Sequence, residues 1–352
     1  MSKWTDTLGA LGARFHIDVA NAVDDFGAPL DVDALAAGFV APVTDQGLIA
    51  VAGEEAAKFL HTQLTNDVEH LSDREARFAG FCTPKGRLQA SFLMWRDPDA
   101  VYLQLPRAIQ APLQKRLSMF VMRSKARLRD ATDEAPFAAM LAFGGAKGHA
   151  ALARFAPSLP AAPMGRTAGD FGTVLRLHDA FGAPRYLWIV GQDTAADALS
   201  ALKDDLALGG NQAWRLAAIH AGEPQVDAAT QEQFVPQMIN LELLGGVNFK
   251  KGCYPGQEIV ARTKYLGKIK RRTTLVGIDN AAVRAGDELF AVSDPDQPCG
   301  MVVNAVPNGA GGADALVEIK LAALDGEVRH GSAAGAAVRF LPMPYSLDPI
   351  DD

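Results

Sequence analysis

The order in which strand-like and helix-like stretches follow one another constrains this chain more than its composition does. Residues 47–53 (GLIAVAG) read as a short strand, and Ala56, Phe59, Leu60 and Leu64 then recur at helical spacing. Residues 77–82 and 88–95 are strand-like runs on either side of Thr83-Pro84-Lys85-Gly86, a turn by its Pro and Gly, so together they read as a hairpin. Residues 100–105 read as a further strand and 108–119 as an amphipathic helix. A second round follows: a strand over 136–143, the glycine-rich stretch 144–148, a helix over 149–155, strands over 172–178 and 185–190, and a helix over 194–208. Strand, helix, strand, strand, helix thus occurs twice, which reads as two α+β units of ferredoxin-like type. Residues 214–221 should form one more helix, ended by Gly222-Glu223-Pro224. After residue 273 only short strands remain, over 273–278, 288–292, 300–306, 315–320 and 337–341, with turn signals such as Asp325-Gly326 between them; this predicts a small antiparallel barrel. The expected division is an α+β unit over 1–130, a second over 131–246, a loop and helix over 247–270, a β-barrel over 271–345 and an acidic tail over 346–352.

Composition bounds the function. With 49% hydrophobic and 21% charged residues in 352, the chain should fold as a water-soluble globular protein. Its first residues show neither a secretory apolar run nor an Arg-rich transit pattern, and no stretch reaches the ~18 apolar residues of a membrane span. Cys82, Cys253 and Cys299 share no Cys-x-x-Cys spacing, so a reducing, cytoplasmic setting is expected. A net charge of −7 argues against a general nucleic-acid or membrane binder. The charge is nonetheless uneven. Residues 100–129 hold seven cations and no acid, and residues 249–272 hold eight against Glu258 alone. Each run is either a solvated face or a local anion site. Residues 120–129 alternate with period two, which as a strand would line Arg123, Lys125, Arg127 and Arg129 along one face.

Chemistry concentrates in Lys251-Gly252-Cys253-Tyr254-Pro255-Gly256-Gln257-Glu258, which has the grammar of a loop entering a helix. Gly252 permits an unusual backbone angle, Pro255 suits a first helical turn, and Glu258 complements the positive helix end. Cys253 would then sit just before a helix N-terminus beside Lys250 and Lys251, features that favour thiolate over thiol. Cys82 and Cys299, in apolar surroundings, read as packing. No histidine pair has metal-ligand spacing, so no metal site is expected. A P-loop ending and a Gly-x-Ser-x-Gly elbow are both missing, which removes nucleotide hydrolysis and serine hydrolase chemistry.

The eight-residue run resembles the signature of the YgfZ family, and Phe59-Leu60-His61-Thr62-Gln63-Leu64-Thr65-Asn66-Asp67, Phe81-Cys82-Thr83-Pro84-Lys85-Gly86-Arg87 and Phe234-Val235-Pro236-Gln237-Met238-Ile239-Asn240-Leu241 look like family segments. The resemblance implies an α+β ring of three domains like that of the folate-dependent aminomethyltransferases, with tetrahydrofolate in a central hole. It also implies a part in assembling or repairing iron–sulfur clusters in client proteins met transiently. Carried over, Cys253 is the reactive thiol, Lys251 is the other telling position, and Tyr254, Gln257 and Glu258 shape the folate-binding loop. A folate's flat pterin needs an apolar slot and its glutamate tail, often polymerised, needs cations, which Arg123, Lys125, Lys250 and Lys251 could supply. The aminomethyltransferases carry an Asp beside the folate in the strand after the first hairpin turn; here the matching run is Gly86-Arg87-Leu88-Gln89-Ala90-Ser91.

Three functions stay open. One is a tetrahydrofolate-binding accessory factor for iron–sulfur proteins. A second is a folate-dependent one-carbon transferase, weakened by the missing Asp, so whether the chain is an enzyme is left undecided. The third is an RNA-binding factor in tRNA modification using residues 264–272, where Tyr265 is the one aromatic available for stacking.

Overall fold

A computed structural model describes residues 3–17, 19, 21–134, 138–265 and 267–348. The first sheet has five antiparallel strands in the order Ala76–Cys82, Leu88–Arg96, Ala100–Pro106, Gln46–Ala52, Arg127–Asp130. Helices Ala56–Gln63 and Arg107–Ser118 cover one face, where Phe59, Leu60, Ile109, Leu113 and Leu117 pack on Ile49, Val51, Phe92 and Leu103. The opposite face, with Leu48, Ala50, Leu93 and Trp95, packs against Leu175, Leu187, Ile189 and Trp214 of the second unit. Burial on both faces explains why eight of the nine residues in Leu88–Arg96 are buried, with no polar-out alternation to read.

The second sheet runs Arg166–Gly169, Gly172–Ala180, Ala183–Val190, Ala139–Gly144, Phe39–Pro42, Ala207–Leu208. Helices Lys3–Ala10 and Gln192–Leu202 close its outer face through Trp4, Leu8, Ala195 and Leu199. This corrects the boundary at residue 130: Phe39–Pro42 pairs with Ala139–Gly144, so the N-terminal segment completes the second sheet, not the first. The strand expected over 136–143 begins at Ala139, and its residues 136 and 137 lie outside those described.

The barrel is closed by six antiparallel strands, Arg271–Ile278, Ala313–Lys320, Asp294–Pro307, Glu288–Ala291, Val328–His330 and Ala336–Leu341. Val328–His330, too short to stand out in the sequence, is what closes it. A second correction concerns residues 120–129. Only Arg127–Asp130 is a strand, and before it the chain makes successive turns, with Phe120 N–H bonding to Leu117 O at 3.0 Å and Ser124 N–H to Val121 O at 2.7 Å. Arg123, Lys125, Arg127 and Arg129 therefore do not form one cationic strand face.

Candidate functional site: a clipped loop and a central cavity

The signature loop is fixed from three sides. Lys251 reaches back to the end of helix Ala56–Gln63, where its Nζ donates to His61 O and, at 2.9 Å, to Leu64 O. The same ammonium lies 4.8 Å from the centre of the Tyr254 ring. Burial holds this amine down to about 8, against the opposing pull of Asp67, Cys253 and Glu69. Tyr254 is buried, and burial pushes its hydroxyl up. Gly256 has φ +82°, and a Cβ there would lie 2.4 Å from Thr83 O and 2.7 Å from Gly86, so only glycine lets the loop press on the hairpin turn. Helix Gln257–Tyr265 follows, anchored by Val260, which is buried and accepts from Gln237 Nε2 at 2.7 Å.

Two expectations change. The helix begins at Gln257, so Pro255 precedes it and Cys253 stands four residues ahead of its first residue. Lys250 is exposed, and Lys251 spends its donors on carbonyls. Cys253 itself is exposed, while Cys82 and Cys299 are buried, with burial pushing Cys82 up to about 12. Gln257 is half-buried and Glu258 is exposed in the first helical turn. Among the described residues no cluster of His, Cys, Asp and Glu could hold a metal ion.

The loop has a neighbour that motif reading passed over. His61 Nδ1 is 3.0 Å from Asp67 Oδ1, and a Cβ on Gly252 would lie 3.9 Å from His61 Nε2, which puts this ring beside the residue preceding Cys253. Burial raises the Asp67 carboxyl, but the amide and ring of His70, with His61, outweigh it and hold Asp67 below its ordinary value. The stretch from Phe59 to Asp67 pointed to the family without marking His61 as part of a site.

A cavity of about 290 Å³ opens where the first sheet, helix Asn211–His220 and the barrel meet. Phe78, Phe92, Leu177 and Trp214 give it apolar walls; Ser91, Gln104 and Asn304 give it polar ones. One wall is stiffened by a buried ionic group. Glu223 accepts from His178 Nδ1 at 2.9 Å and from Arg185 at 3.0 Å, and that guanidinium lies 5.3 Å from the Trp214 ring centre. Burial raises Glu223, but Arg185 and His178 prevail and hold it below its ordinary value. Asp227, the other carboxylate in the lining, is bound to its own loop through the Ala229 amide at 3.0 Å and Thr230 Oγ1 at 3.1 Å. Gln104, 2% exposed, keeps a buried Oε1 with no hydrogen-bond partner among the described residues.

The cations in the lining are Arg215, paired with Asp45, and the exposed Arg284, which has no ion pair among the described residues. Arg123 and Lys125 do not line it: Arg123 is exposed in the turns after helix Arg107–Ser118, and Lys125 pairs with Glu54 at 2.7 Å. Nor do Lys251, Cys253, Tyr254, Gln257 and Glu258. Loop and cavity communicate through the hairpin: Gly86 touches Gly256, and three residues beyond Leu88, about 10 Å along the strand, Ser91 enters the cavity.

No protein-family model matches the sequence. The architecture is that of the glycine cleavage system aminomethyltransferase T from Bartonella henselae, with a TM-score of 0.74 over 97% of this chain and 96% of that one; at 16% identity the likeness establishes the fold alone. Among curated proteins, a tRNA-modifying protein YgfZ of Klebsiella pneumoniae (strain 342) is 31% identical over 309 residues, 86% of this chain and 92% of its own. Another of that name, from Escherichia coli O157:H7 (strain EC4115 / EHEC), is 32% identical over 246 residues, 70% of this chain and 74% of its own. With that extent of identity and an aminomethyltransferase-like α+β fold ending in a closed six-stranded barrel, the chain belongs to the YgfZ family.

Proposed function

We propose that this protein binds tetrahydrofolate in the central cavity and serves as an accessory factor for the assembly or repair of iron–sulfur clusters in client enzymes, tRNA-modifying ones among them, with Cys253 as its reactive thiol. The cavity carries the reading. Its apolar walls suit a flat pterin, the Ser91, Gln104 and Asn304 side chains suit its polar edge, and Arg215 and Arg284 suit a glutamate tail. When bound, the folate would supply one-carbon or redox chemistry. The chain's residues hold and orient it. A lone exposed thiol with no companion ligands among the described residues fits transient contact with a client's sulfur or cluster, since a resident cluster takes about four protein ligands.

The one-carbon transferase reading is less well supported, because Glu223 and Asp227 are both engaged and the hairpin strand presents Ser91 to the cavity. Direct RNA binding through the second basic run is weakened as well: Arg271 pairs with Glu318, Arg272 with Glu242, and Lys251 is clipped to carbonyls.

Anaerobic calorimetric titration of tetrahydrofolate tests the binding. Gln104→Leu and Arg284→Ala should each weaken it by about tenfold, the worth of one well-made polar contact, with the Arg284→Ala loss larger for a polyglutamylated ligand. Cys253→Ser should bind folate like the wild type yet fail to restore cluster-dependent tRNA modification in cells lacking the gene. No folate binding, or binding indifferent to both cavity variants, removes the cofactor from the reading. Full rescue by Cys253→Ser removes the thiol.

A further inference from the structure

The first basic run is left unexplained by the cavity and by the signature loop. The fold divides its seven cations. Arg107 pairs with Asp130 at 2.7 Å, Lys125 with Glu54 at 2.7 Å and Arg129 with Glu134 at 2.8 Å. Lys115, Arg116, Arg123 and Arg127 are exposed and have no ion pair among the described residues. Between Arg116 and Arg123 the chain displays Met119, Phe120 and Met122, which are 65%, 44% and 88% exposed. Met122 is held at φ +44°, a region non-glycine residues seldom occupy, and successive turn hydrogen bonds fix the backbone around it. A groove of about 280 Å³ runs along helix Arg107–Ser118, lined by Ala111, Gln114, Lys115 and Ser118 and, at its start, by Arg107, Gln110 and Asp130, whose carboxylate is taken up by Arg107 and Gln110.

We propose that this groove and the 119–123 knob dock an acidic amphipathic helix of a client protein; the inference rests on the reading above that the chain acts on clients. The apolar side of such a helix covers Met119, Phe120 and Met122, and its acids face Lys115, Arg116 and Arg123. The lining from Arg107 to Ser118 follows about 16 Å of helix, the length of about three turns of a partner helix. Unbranched, polarizable methionines adapt to unlike partners, which suits a factor with several clients. Base stacking is poorly served, because the one aromatic, Phe120, stands edge-on to Phe81 with ring centres 6.5 Å apart. The same contact ties the knob to the signature loop: Phe81 bridges Leu64, and the Leu64 carbonyl receives Lys251, two residues before Cys253.

The probe is a fluorescein-labelled 16-residue peptide with Leu and Phe on one helical face and Glu on the other. It is compared with a scrambled peptide of equal composition, a Lys-for-Glu peptide, a single-stranded RNA 16-mer and vesicles containing one-fifth phosphatidylglycerol. Wild-type protein should bind the acidic amphipathic peptide at least tenfold tighter than either control peptide, more weakly as salt rises. The double variant Met119→Ser with Met122→Ser, and the triple variant Lys115→Glu, Arg116→Glu and Arg123→Glu, should each lose at least tenfold. Both should melt like the wild type and titrate tetrahydrofolate unchanged, which separates this surface from the cavity. Equal binding of the scrambled peptide, undiminished binding by both variants, or tighter binding of RNA or vesicles lost in the same variants would overturn the proposal. Peptide binding as expected alongside failed folate titration would strike the cofactor reading and leave the docking surface standing.

Discussion

Lys251 is where two opposing effects can be weighed against each other by experiment. Burial disfavours its ammonium, whereas the His61 and Leu64 carbonyls, the Tyr254 ring and nearby Asp67 and Glu69 favour it. If burial prevails, the amine titrates at about 8 in place of its ordinary 10.5. Between those two values the unfolded chain holds a proton that the native protein has released, so stability rises with pH; below about 8 both states are protonated and the native state carries the whole penalty. At about 1.36 kcal/mol per pH unit, the gain from pH 7 to pH 10 would be about 2.5 kcal/mol undamped. The side chain is only half-buried, so solvent screening reduces this to on the order of 1 kcal/mol. Lys251→Met removes the titration and also leaves two carbonyls short of a donor, at about 0.5–1.5 kcal/mol each. That second cost does not vary with pH, so the difference between wild type and variant isolates the amine.

The direct assay is a carbon-13 NMR titration of the lysine ε-carbons, with Lys251 assigned by its disappearance in Lys251→Met. Urea unfolding of both proteins between pH 7 and pH 10 supplies the linkage. Because Cys253 raises the Lys251 value, Cys253→Ser should move the inflection lower still. An inflection at 10 or above, or a stability difference flat across the window, would show that the carbonyl clip outweighs burial. An inflection unmoved by Cys253→Ser would place the thiol beyond the amine's electrostatic reach.

Other consequences follow from the packing. Gly256→Ala puts a methyl group 2.4 Å from Thr83 O at φ +82°, so thermal unfolding should show a loss of about 2–4 kcal/mol, and iodoacetamide should label Cys253 at a changed rate. Glu223→Gln leaves Arg185 buried without its counter-charge, and the urea midpoint should fall by the equivalent of about 3 kcal/mol. Wild type should lose this same contribution as pH drops through the lowered Glu223 value, since a carboxyl held low stabilises above its unfolded pKa and not below its folded one.

What was legible in the sequence was what neighbours along the chain decide. The hairpin around Thr83-Pro84-Lys85-Gly86 and five of the six barrel strands carry their own turn signals, and both were readable. Phe39–Pro42 was not, because four residues gain strand character only by pairing with Ala139–Gly144, a hundred residues later. The same limit applied to the cavity. Arg215 and Arg284 lie in no basic run and meet only when helix Asn211–His220 packs on the barrel, whereas Arg123 and Lys125 stand in a conspicuous run that the fold turns elsewhere.

The signature's residues have structural uses in the fold that their spacing alone does not display. In sequence, Lys250, Lys251 and the helix that follows are the features expected to favour the Cys253 thiolate. In the fold, Lys251 clips the loop to helix Ala56–Gln63, Tyr254 plugs it into the interior, and Gly256 lets it press on the hairpin turn. Each of these contacts points inward, and between them Cys253 points out, as the exposed cysteine of the three. The motif therefore specifies where the thiol stands and what backs it. A partner would meet a sulfur presented on a clamped loop, joined through Leu64 and Phe81 to the Met119–Met122 knob on one side and through Gly86 to the cavity strand on the other.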